Sequence, residues 1–151
     1  MTFTYDYPKA DLTVDVVLFR IGINGCNEVL LIKRADNPFK GLYALPGGYV
    51  EIGAGETCIE AAARELSEET GLVSDTPLKL VGVFDTPNRD PRGRVVSLAY
   101  CGWVQKNNNF AVAGSDAEAV VWANVAKIES LAFDHNTVIK AASRLCFTGP
   151  T

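Results

Sequence analysis

Glu65, Glu68 and Glu69 stand at spacings of i, i+3 and i+4 in the run Cys58-Ile59-Glu60-Ala61-Ala62-Ala63-Arg64-Glu65-Leu66-Ser67-Glu68-Glu69-Thr70. On a helix they share one face. Each like-charged pair opposes an isolated helix by a few tenths of a kcal/mol, so a face that gathers acids in this way calls for a cation. Three oxygen donors with no neighbouring histidine or thiol suit a hard divalent ion, Mg²⁺ first and Mn²⁺ second. Mg²⁺ held by carboxylates keeps room for waters and substrate phosphates. The chemistry expected from these residues is metal-assisted attack on a phosphate compound. A solvated acidic face is the alternative for the three glutamates taken alone.

Other chemistries find little support. His135 is the single histidine, and no serine and acid are patterned with it as a triad. Cys26, Cys58, Cys101 and Cys146 are widely spaced and form no Cys-x-x-Cys pair, so they read as free thiols in a reducing cytoplasm. The 151 residues are 48% hydrophobic and 21% charged, which is globular composition for a single domain, 1–151, with its own core. The net charge of −4 argues against a general nucleic-acid or membrane-surface binder, both of which require a basic face. No segment has the roughly 20 apolar residues of a membrane span. The first eight residues lack a basic region before an apolar run, so no signal peptide is expected.

The elements that must position the acids follow from pattern. Leu12–Ile21 and Glu28–Lys33 read as strands, joined as a hairpin by the Asn24-Gly25 turn. Tyr43–Val50 reads as extended and is interrupted by Pro46-Gly47-Gly48. In the acidic helix, Thr57 and Glu60 form an expected capping box, Gly71 is a suitable C-terminal stop, and Cys58, Ile59, Ala61, Ala62 and Leu66 supply the apolar face. Leu78–Asp85, Val95–Val104 and Ala119–Trp122 read as strands. A turn is expected at Asn107-Asn108-Asn109, and Asp134 is a plausible N-cap for a helix over Phe133–Cys146.

From Glu56 onward the chain resembles the Nudix box: Glu56, seven residues, then Arg64-Glu65-Leu66-Ser67-Glu68-Glu69-Thr70-Gly71-Leu72. The front departs from that pattern, because seven residues, Tyr49 to Gly55, separate Gly48 from Glu56 where the family has five. Three further segments are similar to ADP-ribose pyrophosphatases: Asn37–Gly48, Arg89–Ser97 and Leu131–His135. They also resemble Nudix-related regulators of NAD metabolism. Those carry an extra DNA-binding domain, for which this chain shows no room.

The resemblance implies an α/β fold, a Nudix-type α/β/α sandwich with a mixed sheet between helices. It implies a cytoplasmic homodimer with a small-molecule nucleotide substrate, cleaving ADP-ribose to AMP and ribose 5-phosphate; the alternatives are another nucleoside diphosphate sugar or a nucleoside triphosphate as substrate, or a non-catalytic ADP-ribose-sensing module. The metal ligands would be Glu65, Glu68 and Glu69 with a backbone carbonyl from Gly47 or Gly48, the cofactor being Mg²⁺ with Mn²⁺ possible. Glu56 would orient Arg64 or cap the helix, and Arg64 would pair with Glu60 or Glu68. The general base is expected outside the metal set, at Glu118 or Asp116, with Glu68 a third catalytic acid. Arg34, Arg92 and Arg94 would contact phosphate or ribose oxygens, and Phe39 and Tyr43 would stack on adenine. Each has a plainer alternative: Tyr43 as core, Arg94 as a cross-sheet pair, Asp90–Gly93 as a turn, Phe133 as a core anchor, and His135 as a packing residue at a helix start.

Overall fold

The computed structural model describes residues 2–105, 113–114 and 117–147. Its elements run β1 (Asp11–Ile21), β2 (Asn27–Arg34), β3 (Tyr43–Ala44), β4 (Gly47–Tyr49), α1 (Cys58–Thr70), β5 (Lys79–Phe84), β6 (Val95–Trp103), β7 (Ala117–Asn124) and α2 (His135–Phe147). One mixed sheet has the order β3-β2-β1-β6-β5, with β4 added to β1 and β7 added to β2. The strand β1 is central, and alternate residues serve opposite faces, which is why its sequence is apolar without alternation. Val14, Val16 and Leu18 pack with Ala61, Ala62 and Leu66 of α1. Val17 and Phe19 pack with Val138, Ile139 and Ala142 of α2. The sheet therefore lies between the two helices, as expected.

The pairing of β1 creates the site. β1 runs parallel to β6 from Asp11 opposite Val95 to Phe19 opposite Trp103. On its other edge it meets β2 only at Phe19–Ile21. Further back, β2 has diverged, and β4 takes its place against Thr13–Asp15. The chain thus leaves β2 at Ala44, crosses at Leu45-Pro46, and rejoins the sheet against β1 at Gly47. A cleft opens at this splay.

α1 starts and stops as its sequence specifies. The Thr57 side chain accepts from the Glu60 amide, the Glu60 carboxylate accepts from the Thr57 amide, and Gly71 ends the helix with φ 73°. Ile59 departs from expectation: it is 45% exposed, being one position off the stripe formed by Ala61, Ala62 and Leu66. Asp134 stands immediately before α2, its carbonyl accepting from the Thr137 and Val138 amides, and both of its carboxylate oxygens accept from Arg89. The Asn107–Asn109 turn lies outside the described residues. Among the described residues no helix is long and apolar enough to cross a membrane. Thr57→Ala is expected to lower stability by about 1 kcal/mol, measured by urea denaturation; an unchanged midpoint would show that the cap contributes nothing.

Candidate active site

The acidic end of the cleft is built where α1 faces β4. The Gly47 amide donates to Glu69 Oε2 at 3.1 Å. At Gly48 a β-carbon would collide with the Glu65 carboxylate, so the absence of a side chain lets that carboxylate press against the strand. Arg64 organises the rest. Its Nε donates to Glu56 Oε1 at 2.6 Å and its Nη2 to Glu56 Oε2 at 3.1 Å. Its Nη1 reaches Glu65 Oε1 at 2.9 Å and Glu68 Oε2 at 3.1 Å, and Nη2 also donates to the Tyr49 carbonyl. Burial raises the pKa of Glu65 against the opposing pull of Arg64. The hydrogen bond from Arg64 is the first cause that lowers Glu56. Glu60 is engaged in the cap, so Glu68 is the i+4 partner of Arg64.

The longer loop before Glu56 forms a single 3₁₀ turn, Ile52–Ala54, closed by Gly55 at φ 72°. Ile52 is exposed, and the Glu51 amide donates to Glu56 Oε2 at 2.8 Å. The added length projects outward and still delivers Glu56 to Arg64.

The far end of the cleft is cationic and aromatic. The guanidinium carbons of Arg34 and Arg92 lie 5.0 Å and 5.6 Å from the centre of the Phe133 ring. Burial and then the neighbouring Arg92 pull down the pKa of Arg34. Asp90 holds Arg92 through Nε at 3.0 Å and Nη2 at 2.7 Å. Phe133 sits at φ 53°, a conformation that bulky residues adopt only under constraint.

Between the ends lies a buried polar floor. Asp15 accepts from the Ser97 hydroxyl at 2.6 Å and lies 3.3 Å from His135 Nε2 and 3.9 Å from Arg89 Nη2. Burial would raise the pKa of Asp15, but His135 first, then Ser97 and Arg89, hold it below the ordinary carboxylate value. Arg89 makes a two-pronged contact with Asp134 at 3.0 and 2.6 Å.

All three regions line one cavity of about 500 Å³. Of the residues singled out in the sequence, Gly47, Glu65, Glu69, Arg34 and Arg92 meet there. Glu68 is 60% exposed beside it. Tyr43 pairs in register with Lys33 and packs on the α2-side core. Phe39 stacks edge-on to Phe133 at 4.8 Å but is absent from the cavity wall. Arg94 is exposed, its carbonyl accepting from the Asp11 amide. Glu118 faces Lys33 at 3.7 Å. Asp116 lies outside the described residues, although the nearby Gly114 amide donates to the Glu69 carbonyl at 2.8 Å. Asp15 was not anticipated; its one signal is a lone charge inside an apolar strand. Arg89, Phe133 and His135 stood in segments already singled out, Phe133 as a core anchor, His135 as a packing residue and Arg89 with no role of its own.

Among the described residues no three acidic, histidine or cysteine side chains converge as a ready cage for a metal. The donor set nonetheless fits a hard cation that keeps waters and substrate oxygens as ligands: two carboxylates, Glu65 and Glu69, face one cavity beside a strand backbone left bare by two glycines. Gly48→Ala forces Glu65 off its seat. It is expected to weaken Mn²⁺ binding about tenfold or more, the equivalent of the 1–3 kcal/mol cost of overpacking, measured by electron paramagnetic resonance titration. Parent-like affinity in the folded variant would remove Glu65 from the cation site.

The comparisons agree with this geometry. The chain is 46% identical over 114 residues to an ADP-ribose pyrophosphatase of Methanocaldococcus jannaschii, covering 76% of this chain and 64% of that protein. It is 34% identical over 139 residues to the ADPR responsive transcriptional repressor NtrR of Acinetobacter baylyi, covering 91% of this chain and 54% of the repressor. The chain thus spans between half and two-thirds of the length of these curated relatives. The NUDIX domain of Shewanella oneidensis NrtR, solved with ADP ribose, superposes with a TM-score of 0.85 at 29% identity, covering 93% of both chains. The likeness to a repressor stands against the expectation, drawn from net charge, that nucleic acid is no partner. The NUDIX domain model matches residues 10–142, and with the glycine pair seated against the acids of α1 this chain belongs to the Nudix family.

Proposed function

We propose that the cleft binds ADP-ribose with a divalent cation and hydrolyses its pyrophosphate to AMP and ribose 5-phosphate. The observation that carries this reading is the union, in one cavity, of an acidic end (Glu65, Glu69) and a cationic aromatic end (Arg34, Arg92, Phe133). A nucleoside diphosphate sugar needs both. Its pyrophosphate requires charge neutralisation from two sides, and its rings require apolar faces. Two arginines brought to the same ring, one with a lowered pKa, are better accommodated with an anion between or beside them. Tyr49 and Phe133 are the aromatic rings on the cavity wall, and they take the stacking role expected of Phe39 and Tyr43.

Glu65, Glu69, the adjacent Glu68 and the Gly47 carbonyl would hold Mg²⁺, with Mn²⁺ as the alternative. The ion would neutralise pyrophosphate oxygens and lower the pKa of a bound water. Oxygen from water bonds to one phosphorus, the bridging P–O bond breaks, and the departing phosphate is stabilised by Arg34 and Arg92. The proton of the water goes to a carboxylate, for which Glu68, Asp116 and Glu118 are the candidates. A homodimeric, cytoplasmic enzyme follows from family resemblance alone. The likeness to NtrR favours a second reading, ADP-ribose sensing without turnover, against which the three acids of α1 weigh.

Glu69→Gln separates the two. It is expected to reduce kcat about 100-fold or more, a loss of roughly 3 kcal/mol in transition-state stabilisation, while calorimetry finds ADP-ribose binding within about threefold of the parent. Equal turnover by variant and parent would remove Glu69 from the chemistry. Tight binding by a parent that forms no AMP would install the sensing reading. Turnover of a nucleoside triphosphate with ADP-ribose untouched would overturn the specificity. Single amide substitutions at Glu68, Asp116 and Glu118 identify the base as the one whose loss lowers kcat by about 10²–10⁴.

A further inference from the structure

His135 is buried at the first turn of α2 and faces the crossing that leads into the strand carrying the glycine pair. Its Nδ1 accepts from the Leu45 amide at 2.9 Å. Leu45 sits at the crossing where the chain leaves its pairing with β2 at Ala44 and takes up pairing with β1 at Gly47. An amide at such a crossing has no neighbour in either ladder, and a buried N–H without an acceptor costs about 1–3 kcal/mol. The imidazole supplies that acceptor. Because Nδ1 accepts, the ring proton resides on Nε2, which points at Asp15 Oδ1 at 3.3 Å. Asp15 is itself fixed by the Ser97 hydroxyl at 2.6 Å and lies directly opposite Gly47 in the β1–β4 register. One residue along the crossing, the Pro46 carbonyl accepts from the Val16 amide at 2.8 Å. Next comes Gly47, whose amide meets Glu69.

We propose that His135 and Asp15 are a positioning pair that fixes the strand crossing, and through it sets Gly47 and Gly48 against the carboxylates of α1. Asp15 holds the imidazole in one tautomer and one orientation. His135 holds Leu45. The two-residue span from Leu45 to Gly47 is too short to absorb a displacement, so movement at Leu45 is passed to the contact between Gly47 and Glu69. Neither residue acts on substrate in this role. The consequence for catalysis rests on the proposed reading of the cleft, whereas the clamp on Leu45 does not.

The test uses the full chain. His135→Leu removes both polar contacts. His135→Asn keeps an acceptor close to the place of Nδ1 and loses the donor toward Asp15. In His135→Leu, exchange of the Leu45 amide with solvent is expected to accelerate at least about tenfold, and Mn²⁺ affinity to fall about tenfold. In His135→Asn both return to within about threefold of the parent, a rescue that a general packing role would not give. Parent-like Mn²⁺ affinity in a folded His135→Leu protein overturns the proposal, as does a His135→Asn variant as impaired as His135→Leu. Should His135→Leu fail to fold, the parent protein still decides. Nitrogen shifts of its single histidine are expected to show Nε2 protonated and Nδ1 bare, and the opposite tautomer refutes the clamp. None of these measurements needs substrate, and ADP-ribose turnover by the parent tests the reading of the cleft separately.

Discussion

Three carboxylates on one helical turn repel one another, and the arrangement at α1 depends on how that repulsion is managed. Arg64 touches Glu65 and Glu68 with one nitrogen and is itself held by Glu56 through two. Glu56 is placed by the loop before the helix, where the Glu51 amide fixes one of its oxygens. The guanidinium thus neutralises part of the acidic face from the cavity wall, and the Glu69 carboxylate accepts from the Gly47 amide. A lysine could not replace it, since a single ammonium lacks the planar fork that serves three glutamates and a carbonyl together. The apolar stripe of Ala61, Ala62 and Leu66 then anchors this charged assembly to the sheet, so the acids are carried on a rigid support.

The second determinant is the divergence of β1 and β2. A sheet with both strands fully paired would have no room for a ligand. Here the two separate after three paired residues, and the short β4 fills only one side of the gap. The remaining opening joins the acidic end to Arg34, brought in at a β-bulge between Lys33 and Arg34, and to the loop holding Asp90 and Arg92. Buried charges in the floor are each matched: Asp15 by Ser97, His135 and Arg89, and Arg89 in turn by Asp134. Such a floor costs desolvation, which complete pairing offsets, and it confers a single orientation on every group.

What the sequence disclosed and what it hid divide along contact range. The helix, its capping box and its stop at Gly71 are local, so spacing alone revealed them, while the partnership of Arg64 with Glu56 was an expectation of the resemblance to the Nudix box. The layered arrangement was an expectation of the family resemblance, with which a β1 apolar on both faces agrees. The floor was not accessible: Asp15 meets Ser97 and His135 through partners 82 residues away and further, and Leu45 meets His135 across 90. No periodicity encodes such pairs. Tyr43 shows a different obstacle. Adjacent residues in a strand face opposite ways, so its role turned on a register that only the pairing with Lys33 determines. Phe39 and Phe133 contact each other, and only the folded chain shows that Phe133 is the one on the cavity wall.

In the proposed reaction this cleft couples a divalent cation to pyrophosphate cleavage. Chromatographic separation of products after incubating the protein with ADP-ribose tests it most directly, with Mg²⁺ present or with the ion removed by EDTA. AMP and ribose 5-phosphate are expected in equal amounts with Mg²⁺ and neither with EDTA. AMP formed at the same rate in EDTA, or intact ADP-ribose under both conditions, would contradict it.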